Sequence, residues 1–209
     1  GAIAVWNDMT DYLENGISEY DVYDRLQNAI PLFGAKLWGK GDKTLDQANS
    51  LRTTLGDAPG TNFGYEAAKD ENGMIAHYDL DNLDQLKDHE NIELASLDSH
   101  DALRLLGNKS YATTSFSTVG LNNDLRVKVK RESSSEEEQI LFESSYGSIK
   151  AVQKETGKVG LSRENHDYSF NYELPVNQWV ELEFKNRKEV IDLRSEEHTS
   201  ELQSHLNLV

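Results

Sequence analysis

From Phe63 onward the hydrophobic period of this chain is two, and that period constrains the fold more than any other feature. Leu125-Arg126-Val127-Lys128-Val129-Lys130 places an aliphatic side chain at every second position and a cation between. A segment of that pattern buries one face and wets the other only as a β-strand, because successive strand side chains point to opposite faces. Further strand candidates are Ile75 to Leu80, Tyr111 to Val119, Gln139 to Ser144, Ser148 to Gln153, Val159 to Ser162, Tyr168 to Glu173 and Trp179 to Lys185. Glu155-Thr156-Gly157-Lys158 supplies a turn between two of them. Short strands at intervals of about eight to twelve residues, joined by turns, indicate an antiparallel β-sandwich or jelly roll over residues 63–193. Ser133-Ser134-Ser135-Glu136-Glu137-Glu138 reads as a solvated loop between strands.

The first 39 residues follow another rule. Ala2-Ile3-Ala4-Val5 is a run of small and apolar residues ending in Trp6-Asn7-Asp8. Such a run is the signature of a strand covered on both faces, as in a parallel sheet. Met9 to Ile17 is a polar loop with an Asn15-Gly16 turn, and Ser18 with Asp21 opens a helix. Val22, Leu26, Ala29, Ile30, Phe33 and Leu37 then form a stripe at helical spacing, with Pro31 expected to kink or split it and Gly39 to cap it. A buried strand ending in an aromatic and a carboxylate, then a loop and an amphipathic helix, is the β/α unit of a (β/α)8 (TIM) barrel, whose active-site residues sit at that end of the strands. The expected fold class is therefore mixed: the last β/α unit of a barrel in residues 1–39, a linker in 40–62 and the sandwich in 63–193. The other barrel strands are expected upstream of Gly1. Within the linker, Thr44 is placed to cap a short helix through Leu55, and Gly56 to Asn62 is loop.

Charge and composition narrow the functions. The chain has 209 residues, no Cys and a formal net charge of −16. Phosphate contacts need clustered Lys and Arg, so the balance argues against nucleic acid and anionic membranes as partners. Disulfides and thiolate metal sites are excluded, while secretion is not. No apolar run is long enough to cross a bilayer. Asp79, Asp81 and Asp84 lack the glycine-containing loop of a calcium site, and His77, His89, His100 and His166 lack zinc spacing, so neither metal nor cofactor is expected. Residues 194–209 stand apart. Arg194-Ser195-Glu196-Glu197-His198-Thr199-Ser200-Glu201-Leu202-Gln203-Ser204 resembles the translation of a widely used sequencing adapter, so this tail is read as an artefact. His198 and His205 are accordingly left out of any ligand set.

Gly1 to Asp8, Asp21-Val22-Tyr23-Asp24-Arg25 and Ala29 to Gly39 together resemble the end of a family 20 glycoside hydrolase barrel. That family comprises exo-acting β-N-acetylhexosaminidases and lacto-N-biosidases, and the resemblance covers roughly the first forty residues. It implies that Trp6 lines the pocket of the terminal sugar and that Asp8, where many members have Glu, accepts hydrogen bonds from its outer hydroxyls. A sugar's C–H face suits an aromatic ring, and a carboxylate accepts two hydroxyl protons. The family's substrate attacks its own anomeric carbon through its acetamido oxygen, with an adjacent Asp-Glu pair orienting the acetamide and protonating the leaving group. No such pair ends a buried strand here; Asp70-Glu71 lies in a polar turn. The implied partners are a glycan ending in N-acetylhexosamine or lacto-N-biose and the barrel preceding Gly1, outside or on the surface of a bacterial cell. The segment itself is expected to hold no catalytic residue.

Ile75 to Leu80, Gln139 to Ser144, Gly157-Lys158-Val159-Gly160 and Asn177-Gln178-Trp179-Val180-Glu181-Leu182 resemble concanavalin-like, laminin-G-type sandwiches across most of Gly73 to Leu193. Some such modules bind glycans and others only pack against a catalytic domain. A non-catalytic carbohydrate-binding or adhesion module is therefore the alternative reading. Trp38 and Trp179 are expected in the core, as are Tyr168, Phe170 and Tyr172, which share a face at period two. For Trp6 a core position is the alternative to the pocket.

Overall fold

The structure is a computed structural model that describes residues 2–6, 22, 26, 29–39, 44–55, 69–80, 82–98, 100–107, 109–114, 119, 122–144, 147–163, 166–187, 190–195 and 198–203. Contacts divide the chain into two units, Gly1–Tyr65 with Leu121–Val209, and Glu66–Gly120.

In the first unit Val22 and Leu26 are helical, and helices α1 (Ala29–Trp38) and α2 (Leu45–Leu55) follow. Pro31 lies inside α1, which continues to Trp38. Gly39 donates its N–H to the Ala35 carbonyl at 2.8 Å, and a Cβ there would collide with that same oxygen. Glycine is thus required where the chain leaves α1. Thr44 opens α2 with a reciprocal capping box: its Oγ1 accepts from the Gln47 N–H at 3.3 Å, and Gln47 Oε1 accepts from the Thr44 N–H at 3.0 Å.

The remainder of this unit is antiparallel β. One sheet has the order β12-β11-β10-β5, from β5 (Asn122–Lys130), β10 (Trp179–Arg187), β11 (Val190–Ser195) and β12 (His198–Gln203). The other runs β6-β7-β8-β9, from β6 (Gln139–Ser144), β7 (Gly147–Val152), β8 (Gly160–Arg163) and β9 (His166–Ser169). Residues of both sheets meet in one core, the arrangement of a β-sandwich. Ile149, Ala151 and Leu161 come from the second sheet, and Val180, Leu182, Phe184, Ile191 and Leu193 from the first. Phe170 joins them with its ring 6.0 Å from that of Phe184, and Tyr168 and Tyr172 pack at the margin. The face shared by these three aromatics therefore points inward, as their spacing suggested. Each fully buried Leu or Phe contributes about 1.5–3 kcal/mol of transfer free energy.

One buried side chain ties the second sheet together. The Gln153 amide donates to the Tyr168 carbonyl at 3.2 Å and accepts from Thr156 Oγ1 at 3.3 Å and from Ser169 Oγ. Its oxygen and nitrogen thereby join the β7–β8 turn to β9. Gly160 lies directly beneath, where a Cβ would overlap the amide. Nearby, Lys150 on β7 is 5% exposed and bridges Glu138 at 2.8 Å and Asp167 at 3.1 Å. The loop ending at Glu138 is exposed as expected, but it is pinned by this contact and by Arg131 Nη2, which donates to the Ser135 carbonyl at 2.6 Å.

Among its described residues the second unit holds two short antiparallel pairs, β1 (Asp88–Glu90) with β4 (Tyr111–Thr113) and β2 (Ile92–Leu97) with β3 (His100–Leu105). Asp70 Oδ1 accepts the N–H groups of Asn72 and Met74 and organises the turn carrying Asp70-Glu71. Ile75 to Leu80, expected as a strand, is not one. Leu80, at its end, has φ +57°, a left-handed conformation outside the regular β region. Of the strand expected over Tyr111 to Val119, Tyr111–Thr113 forms β4, Thr114 and Val119 are not strand, and residues 115–118 lie outside the described set.

One expectation about the ends of the chain meets a different structure. Ala2 to Trp6 forms no strand and all five residues are exposed. A strand takes its backbone partners from neighbouring strands, and none of the described strands pairs with these residues. Conversely His198–Gln203, in the adapter-like tail, pairs along β11 as β12, from Val190 opposite Gln203 to Ser195 opposite His198. Strand ladders are built by backbone groups, so a segment without alternation can still occupy an edge.

Candidate functional site

Trp6 is 78% exposed, so its ring is not core. Asp8, the other residue expected at the sugar, lies outside the described residues, as does Asn7. Beside Trp6, Ile3 and Val5 are also exposed. Trp38, expected in the core, is 75% exposed, and Leu37 next to it is exposed too, so the end of the α1 stripe stays uncovered.

Trp179 also departs from expectation. Val180, Leu182 and Phe184 point into the core, which forces Trp179, Glu181, Glu183 and Lys185 onto the outward row of β10. The ring is half-buried by its neighbours on that face, with Lys128 Nζ 5.9 Å from its centroid. The parity of the strand carried this placement in the sequence.

Around Trp179 the outward face is a ladder of opposed charges. Lys130 stands opposite Trp179, Lys128 opposite Glu181, and Arg126 opposite Glu183, which has Arg194 on its other side. Arg126 Nη2 reaches Glu183 Oε1 at 2.7 Å and Lys185 reaches Oε2 at 3.3 Å. Arg187 reaches Asp124 at 2.6 Å. Burial pushes the Glu183 carboxyl up, but hydrogen bonds from Arg126 and Lys185 more than offset this and hold it below the ordinary carboxylate value. Glu183 in turn raises Arg126. A shallow groove of about 270 Å³ runs along Glu181, Glu183, Arg194 and Ser195.

An ionised Glu183 with both oxygens engaged accepts hydrogen bonds and does not donate a proton near neutral pH, so it is unsuited to general-acid work. The face can instead hold hydroxyl groups against carboxylates and cations. Among the described residues no three His, Cys, Asp or Glu side chains are grouped to hold a metal ion. His77 Nε2 lies 2.9 Å from Asp79 Oδ1 in an exposed pair, Asp84 donates its N–H to Asn82 Oδ1, and Asp81 lies outside the described residues. No helix among the described residues is long and apolar enough to cross a membrane.

By architecture the larger unit belongs to the antiparallel β-sandwich class, with a charged outward sheet face and an exposed aromatic near the amino terminus. No protein-family model and no curated protein matches the chain.

Proposed function

We propose that this chain is part of a family 20-type glycoside hydrolase that removes terminal N-acetylhexosamine or lacto-N-biose from glycans outside a bacterial cell. In this reading residues 1–39 are the last β/α unit of the catalytic barrel and the β-sandwich is a concanavalin-like accessory module. Trp6 and Asp8 form one wall of the sugar pocket, the ring under the sugar's C–H face and the carboxylate on its outer hydroxyls. The Asp-Glu pair that orients the acetamide and protonates the leaving group belongs to an earlier strand of the barrel.

The observation that carries the reading is the exposure of Ala2 to Trp6. An apolar run with a large aromatic in water is costly alone and is accounted for by neighbouring strands that cover it and a sugar that covers the ring. The test is to read the source locus through both ends and assay the full-length product on an aryl N-acetyl-β-hexosaminide. An upstream barrel with an Asp-Glu pair, and turnover whose KM rises in W6A, supports the reading. A full-length product without such a barrel, or without turnover, overturns it.

The alternative, a non-catalytic carbohydrate-binding module, draws support from the outward placement of Trp179 beside Glu181. It predicts that saturation-transfer NMR with N-acetylglucosamine or lacto-N-biose detects binding by the chain that W179A abolishes and W6A leaves intact.

A further inference from the structure

We draw no further inference here: the strongest candidate, the aliphatic face that Ile92, Leu94, Leu103 and Leu105 form on the β2–β3 hairpin, is an unpartnered surface, and nothing in the structure shows what covers it.

Discussion

Replacing Gly160 by Ala tests the reading of the second sheet most directly. The glycine has no positive φ, so its backbone would accept alanine; what forbids it is the Gln153 amide, which occupies the place of the new methyl group. Gln153 is 1% exposed and cannot swing into water without disrupting the β7–β8 turn. Either the methyl displaces the amide or the strand shifts. Overpacking costs about 1–3 kcal/mol. Displacing the amide also strips a partner from the part-buried Tyr168 carbonyl and from the Thr156 and Ser169 hydroxyls, at about 1–3 kcal/mol. The expected loss for G160A is thus about 2–6 kcal/mol, read as a lower urea midpoint at unchanged m-value in circular dichroism. The cause is isolated by a double-mutant cycle with Q153A. If the amide is the obstacle, Q153A already gives up its hydrogen bonds and opens the space, so G160A costs little more on that background. A G160A chain within about 0.5 kcal/mol of the wild type, or losses that simply add in the double variant, would refute the reasoning.

Three further outcomes follow from the same structure. Phe184→Ala removes a fully buried ring packed on Phe170 and is expected to cost about 3–5 kcal/mol in denaturant unfolding; a loss below 1 kcal/mol would mean that the two sheets do not share this core. Glu183 has a lowered folded-state pKa, so its contribution to stability is present above the ordinary glutamate value of about 4.3 and is lost as pH falls through the folded value. Glu183→Gln should therefore be less stable than wild type at neutral pH and converge with it in acid, whereas a gap independent of pH would contradict the assignment. Thr44→Ala breaks the reciprocal cap and should lower stability or helicity of α2 by about 1 kcal/mol, visible as faster amide exchange in the first turn; unchanged exchange there would remove the cap's importance.

Much of the sandwich was legible because period-two alternation records burial on one face. Leu125, Val127 and Val129 mark the inward face of β5, and Val180, Leu182 and Phe184 that of β10. Parity also contained the outward placement of Trp179, although the general tendency of tryptophan to be buried argued the other way. The hairpin β2–β3 was missed: Ile92 and Leu94 alternate with Glu93 as in any strand, but the run is short and His100-Asp101 opens its partner with polar residues. Ile75 to Leu80 looked equally strand-like, and nothing in residue type announced that Leu80 would adopt a positive φ.

By itself the sequence determined the local rules: where side chains alternate, that Thr44 can cap the helix after it, that Gly39 can cap the helix ending at Trp38, and that Tyr168, Phe170 and Tyr172 share a face. These depend on residues a few positions apart, and short-range geometry is carried by residue type and spacing. Only the tertiary structure decided which strands became neighbours, that Gln153 would sit above Gly160, and that Lys150 would be buried between Glu138 and Asp167. It also decided that Ala2 to Trp6 stands in the open. A strand needs partners distant in sequence, and a buried charge or amide needs neighbours that close around it. Those conditions belong to the assembled chain and are not written in any one segment of it.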